Sequence, residues 1–126
     1  MSDWKTPLRL VEQLDKKGNI HEKGVKKLVS AVAEASELGD KLGCAEFIAF
    51  ATSAVRSAHN SEAVLDEVEK QTGVRLQILS GVEEAQLTFL SARRWYGWSA
   101  GRITNLDIGG GSLELSTGTD EHPDLA

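Results

Sequence analysis

Three runs with apolar residues at helical spacing alternate with short strand-like apolar runs, and that alternation restricts the chain to an α/β layered fold. Val25, Leu28, Val29, Val32 and Ala33 share one face of a first helix, expected from His21 or Glu22 to about Leu42. Ile20 can staple onto Val25 at its start; Gly39 is a weak spot and Gly43 the stop. A second helix, capped by Asn60 or Ser61, holds Val64, Leu65 and Val68 and ends at Thr72-Gly73. A third runs from Ser80 to about Arg94, with Val82, Ala85, Phe89 and Ala92 on one side and Leu87 and Leu90 on another. Strand-like runs are Glu46–Ala51, Val74–Leu79 and Ile103–Ile108, with a further alternating run from Leu113. Leu8, Leu10 and Glu12 suggest an edge strand before a turn at Lys16–Asn19. The pattern predicts one α/β domain over 1–126, with a mixed, mostly parallel sheet and helices packed on it.

In such folds ligands sit at the carboxyl ends of the strands. Three loops leave such ends: Thr52–Arg56, Ser80–Glu84 and Asp107–Ser112. One shared sheet would put all three on one edge. In the last of them Asp107 precedes Gly109-Gly110-Gly111-Ser112. Glycines can bring successive backbone N–H groups close to an anion, which suits phosphate, and an acid beside them can hold a metal ion or a water. The same stretch also reads as an ordinary β-hairpin with a glycine-rich turn. Ser80-Gly81-Val82-Glu83 has capping-box spacing. Glu83 and Glu84 then point about 100° apart on a helix. They read either as two solvated acids of a helix start or as one structural and one functional carboxylate. Arg56 reads as a surface arginine or as a planar fork for phosphate. Trp95, Tyr96 and Trp98 read as an apolar plug at a helix end, with base stacking the lesser alternative.

A net charge of −5 and a pI near 5.2 exclude broad binding to nucleic acid or to an anionic membrane surface. No apolar run approaches the length of a membrane span. The single Cys44 is expected as a buried thiol in a reducing compartment. With no signal peptide visible, the expected location is the cytoplasm. His21, His59 and His122 lack metal-ligand spacing, and there is no P-loop.

Ala51-Thr52-Ser53-Ala54-Val55-Arg56, Ile78-Leu79-Ser80-Gly81-Val82-Glu83-Glu84-Ala85 and Asp107-Ile108-Gly109-Gly110-Gly111-Ser112-Leu113-Glu114-Leu115, in this order, resemble the exopolyphosphatase / guanosine pentaphosphate phosphohydrolase (Ppx/GppA) family. The resemblance spans about Leu8 to Gly118, and Arg93–Trp98 is similar to the actinobacterial branch. It implies a ribonuclease H-like lobe of the actin-like ATPase (sugar kinase, Hsp70, actin) superfamily. It also implies hydrolysis of a terminal phosphoanhydride of polyphosphate or guanosine pentaphosphate, with Mg2+ or another divalent cation. By the same resemblance Glu84 is the catalytic carboxylate. Arg56, Asp107, Gly109, Gly110, Gly111 and Ser112 are phosphate-binding, and Asp107 is the candidate metal ligand. The family's first phosphate loop, Asp-x-Gly-Ser-Asn-Ser, does not stand before Leu8. Ser112-Leu113 stands where many relatives have Ser-Thr. The expectation is therefore a fragment of the first lobe, lacking its N-terminal hairpin, itself inactive, with an exposed edge near Leu8–Val11 through which a homodimer could form. Two other readings stay open. One is a lobe of an ATP-dependent small-molecule kinase, against which Glu83-Glu84-Ala85 argues. The other is a non-catalytic phosphate- or alarmone-binding module.

Overall fold

The computed structural model describes residues 4–109 and 111–126 and divides into two compact units, Met1–Ile78 and Leu79–Ala126. Gly110, one of the expected phosphate-binding residues, lies outside the described residues.

The first unit carries α1 (Glu22–Lys41), β1 (Phe50–Ala51), α2 (Ser53–Arg56), α3 (Ser61–Thr72) and β2 (Gln77–Ile78). Its core is apolar: Ile20, Leu28, Val32, Val55, Val64, Val68 and Leu76 are buried together with Ala51 and Ala58. Leu28 and Val32 come from the predicted face of α1, and Val64 and Val68 from that of α3. Gly24 lets the first turn of α1 approach its neighbours. A Cβ there would stand 2.8 Å from Gln13 Cβ and from Ile20 Cγ2. Asn60 precedes α3, but its side chain makes no cap bond. Instead its amide mimics a strand neighbour: Ile20 N–H donates to Oδ1 at 2.8 Å, and Nδ2 donates to Ile20 O at 2.9 Å.

Several expectations are corrected here. The edge strand at Leu8–Glu12 is absent. Leu10–Gln13 form a 3-10 turn, and the nearby Leu14 and Ile20 make an isolated bridge, so Leu8–Val11 form no strand edge. Leu8, Leu10 and Leu14 pack against the core instead, which a single 3-10 turn permits as well as a strand does. The predicted strands at 46–51 and 74–79 shrink to two residues each, paired in parallel as Phe50–Gln77 and Ala51–Ile78. Phe47, Ile48 and Phe50 are exposed, so this run is not the buried strand its composition suggests. Cys44 is exposed as well, because it falls just past the end of α1 rather than under it.

The second unit carries α4 (Gly81–Tyr96), β3 (Ile103–Ile108) and β4 (Leu113–Gly118). β3 and β4 form an antiparallel hairpin with Ile108 opposite Leu113 and Ile103 opposite Gly118. This pair is a sheet of its own, separate from β1–β2. The expectation of one sheet is thus corrected, and the argument that three loops share one edge falls with it. The hairpin turns its polar face toward α4. Glu114 and Ser116 are buried, whereas Leu106, Ile108, Leu113 and Leu115 are exposed. Trp95, Tyr96 and Trp98 are exposed too and form no plug. The buried group near the end of α4 is Arg93, fully enclosed. Its Nη1 donates to Gly97 O at 3.2 Å, and its Nη2 donates to Gly101 O at 2.7 Å and Gly118 O at 2.9 Å. Five donors in a planar fork can span three carbonyls in a way no apolar side chain can. The guanidinium also stands 5.7 Å from the Phe89 ring centroid.

Candidate functional site

The candidate acid sits in the first turn of α4, and the local sequence decides which of two neighbours it is. Ser80 is extended and caps the helix: its hydroxyl accepts from Glu83 N–H at 3.2 Å, while Glu83 Oε2 accepts from Ser80 N–H at 2.8 Å. This is the capping box that the Ser-x-x-Glu spacing predicts. The Ser80 N–H holds the Glu83 carboxyl below its ordinary pKa. Glu83 is therefore committed to the helix end. Glu84, half-buried, lies about 100° further round.

Which part of the hairpin Glu84 faces follows from two ties between α4 and the strands. At the far end Arg93 bonds Gly118 O, and Gly118 lies opposite Ile103. In the middle Asn105 Nδ2 donates to Thr88 Oγ1 at 3.3 Å. Helix numbers fall as β3 numbers rise, so the two elements run antiparallel. Glu84 stands one turn before Thr88, a rise of about 6 Å. Asp107 stands two residues past Asn105 on the same strand face, an advance of about 7 Å. Glu84, Asp107 and the glycine turn after Ile108 therefore come to the same end of the second unit. Asp107 is half-buried and lies directly opposite Glu114.

The turn differs in one respect from the simple cradle. Gly109 N–H donates to Ser112 O at 3.0 Å and closes the hairpin, so this N–H is spent on the turn. A Cβ at Gly109 would meet Ser112 Oγ at 3.5 Å, an ordinary contact, so crowding within the chain does not demand glycine there. Its absence of a side chain leaves the turn open to approach from outside. Ser112 Oγ is buried with no hydrogen-bond partner among the described residues.

Arg56 ends the short helix α2 of the first unit and is half-buried. The structure thus brings Glu84, Asp107, Gly109, Gly111 and Ser112 together in one unit and places Arg56 in the other. A cavity of about 680 Å³ in the first unit is lined by Trp4, Leu8, Phe47, Phe50 and Val55 and includes Thr52 and Ala54. Its described lining is mostly apolar, with Lys5 the one charged group among the described residues, and this does not suit a polyanion. Among the described residues, no three His, Cys, Asp or Glu side chains gather closely enough to hold a metal ion. No described helix is long and apolar enough to cross a membrane.

Sequence reasoning missed Thr88, Asn105 and Arg93. Asn105 offered a signal, because Asn is depleted within strands and here interrupts an apolar one. Thr88 and Arg93 offered none, since either residue is unremarkable on a helix.

The family model described as the Ppx/GppA phosphatase family matches residues 1–126. Over all 126 residues the chain is 60% identical to Exopolyphosphatase 1 of Mycobacterium leprae and 59% identical to Exopolyphosphatase 1 of Mycobacterium tuberculosis. It spans 37% of the length of each. Among solved structures, an exopolyphosphatase from Cytophaga hutchinsonii superposes with a TM-score of 0.89 at 25% identity, over 98% of this chain and 40% of that one. The Aquifex aeolicus member of the Ppx/GppA family gives 0.78 at 23% identity, over 92% of this chain and 38% of that one. The α/β architecture is that of the actin-like ATPase fold.

Proposed function

The chain belongs to the Ppx/GppA phosphatase family, and we propose that it is the water-activating part of a phosphohydrolase that releases orthophosphate from the end of inorganic polyphosphate. The observation that carries this reading is the register of α4 on β3, fixed by the bond from Asn105 to Thr88, which sets Glu84 level with Asp107 and the glycine turn. Phosphoryl transfer asks the protein chiefly to position a nucleophile and to neutralise oxygens. In the proposal the Glu84 carboxylate accepts a proton from water as the water oxygen bonds to the terminal phosphorus. The bridging P–O bond breaks, and the shortened chain leaves with the bridging oxygen. The proposed phosphate-binding residues are Gly109, Gly110, Gly111 and Ser112 of the second unit and, in the first unit, Arg56, whose planar guanidinium suits phosphate oxygens. Guanosine pentaphosphate ends in the same kind of anhydride, and the proposal extends to it.

A divalent cation, Mg2+ first, fits this residue set. Mg2+ takes one or two carboxylates and completes its shell with phosphate and water oxygens, and the half-buried Asp107 offers one such carboxylate just before the turn. Asp107 would hold it, and bound there it would neutralise charge on the phosphates. An exposed thiol at Cys44 suits a reducing compartment, and we place the protein in the cytoplasm.

The test is orthophosphate release from polyphosphate by the full-length protein. Glu84→Gln should lower the rate by about two orders of magnitude or more, the scale of a lost general base. Glu83→Gln should leave it near wild type, because glutamine still serves the box. Wild-type turnover by Glu84→Gln would overturn the reading.

A further inference from the structure

We propose that Thr88 and Asn105 form the positioning pair for Glu84, tying the backbone that carries this carboxylate to the strand that carries Asp107; the inference rests on the catalytic reading of Glu84 given above. The tie is a chain of hydrogen bonds. Asn105 Nδ2 donates to Thr88 Oγ1 at 3.3 Å. The Thr88 hydroxyl in turn donates to Glu84 O at 3.0 Å and is shared with Ala85 O at 3.2 Å. One hydroxyl therefore joins a strand side chain to the main chain of residue 84.

A threonine that bonds back to the carbonyl four residues earlier is common on helices and by itself needs no functional account. The strand side is what raises this one above a local habit. Asn105 is half-buried on the face that meets α4, where an aliphatic residue would pack without a polar cost. Directly opposite it is Ser116, fully buried and small. The inner face of the hairpin is thus polar at the level of Thr88 and acidic one step further along, at Asp107 and Glu114. The other strong tie, from Arg93 to Gly118, lies at the opposite end of α4. Sliding or rolling of the helix start would be checked first by the Asn105–Thr88 contact. Since a base must stand within hydrogen-bond reach of its water, a small shift of residue 84 matters more than the stability of that contact.

The experiment uses the full-length protein and polyphosphate, with kcat, KM and denaturation midpoint measured for each variant. T88V removes the hydroxyl but keeps the shape, and T88S restores the hydroxyl. T88V should lower kcat about ten- to a hundredfold, the scale for a displaced catalytic group, with KM nearly unchanged. T88S should recover most of the rate. In the E84Q background T88V should cause no further loss, because its effect passes through Glu84. N105A removes the same tie from the strand side and should lower kcat in the same way, which keeps the test decisive if T88V does not fold. Wild-type kcat in both T88V and N105A would overturn the inference, as would an equal further loss on top of E84Q. If E84Q itself turns over like wild type, the catalytic reading of Glu84 fails, an outcome distinct from T88V and N105A alone being silent.

Discussion

The two units of this chain are held together in opposite ways. The first buries aliphatic side chains against one another and leaves its charges outside; Val64, Val68, Leu28 and Ile20 fill its interior. Among its described residues the second buries only Ala85 and Phe89 of the hydrophobic ones, alongside Arg93, Glu114 and Ser116, while Leu106, Ile108, Leu113 and Leu115 are exposed. A hairpin normally sends its apolar face toward the element that covers it. Here the covering helix meets the polar face, and hydrogen bonds take over what apolar contact does in the first unit. Hydrophobic contact is non-directional. A seam made of Arg93, Thr88 and Asn105 is directional and fixes one register of helix on strand. The candidate catalytic carboxylate stands in the unit with the directional seam, which is where a site needing fixed geometry is best placed.

The largest effects should come from attacking each seam in its own terms. Leu28→Ala in the first unit should cost about 2–5 kcal/mol through lost burial and a cavity. Arg93→Met in the second should cost roughly 3–6 kcal/mol, because charge-assisted bonds to three carbonyls are lost together. Arg93→Lys should recover only part of this, since an ammonium cannot span the three acceptors as the planar fork does. Denaturant midpoints of the three variants make the comparison. If Arg93→Met unfolds at the wild-type midpoint, polar contacts do not hold the second unit and the contrast fails.

Two glycines sharpen the contrast at smaller scale. Gly118→Ala would place a Cβ 2.9 Å from Pro123 Cα and 3.1 Å from Phe89 Cζ. Backbone cannot yield as a side chain can, so a loss of about 1–3 kcal/mol is expected, the scale of overpacking. Gly24→Ala meets atoms of Gln13 and Ile20 at 2.8 Å, but alanine regains up to about 1 kcal/mol of helix propensity there. Its net loss should be the smaller. Thermal or chemical denaturation of the pair decides this, and a greater loss at Gly24 would contradict it.

The helices and the β3–β4 hairpin were legible in the sequence, and the extent and pairing of the other strands were not. Apolar spacing gave α1, α3 and α4 to within a few residues, because a helix satisfies its own backbone and its face needs only one partner. The run at 46–51 read as a buried-type strand and the alternating run at 74–79 as another, yet only Phe50–Ala51 and Gln77–Ile78 pair. Strand pairing depends on which other strand lies alongside, and composition does not carry that information. The same gap joined β3 to the wrong sheet. At the site, the capping box was legible because Ser80 and Glu83 are three residues apart and act locally. The tie from Asn105 to Thr88 was not, since it links residues seventeen apart through geometry that no local pattern encodes. The Gly109 N–H, expected to face an anion, is used within the turn, a competition visible only once the strand register is known.

The smallest expected effects concern acid, where the two units should behave alike. In the first, Asp15 Oδ1 accepts from Lys17 N–H at 2.7 Å and Asn19 N–H at 3.0 Å. These turn contacts, Asn19 N–H foremost, hold its carboxyl below the ordinary value of 3.8. In the second, the Ser80 N–H holds Glu83 below the ordinary value of 4.5. Both shifts are downward, so each carboxylate is favoured in the folded state. The stabilisation is fully present above the unfolded-state value and is lost as pH falls through the lowered folded one. Both groups are exposed, so each contribution is modest and screened by salt. Many carboxylates titrate in this range, and the measurement must be a difference. The midpoint gap between wild type and Asp15→Asn, and between wild type and Glu83→Gln, should be constant from pH 8 to 6 and should shrink as pH drops below about 4, near the ordinary carboxylate range. Ser80→Ala removes the hydroxyl half of the box and should cost about 0.5–2 kcal/mol at neutral pH. In that background the Glu83→Gln gap should narrow, because the two halves of the box support each other. A Glu83→Gln gap that widens as pH falls would mean that the ionised carboxylate destabilises the start of α4. Glu83 would then not be committed to the cap, and the division of labour with Glu84 would lose its structural basis.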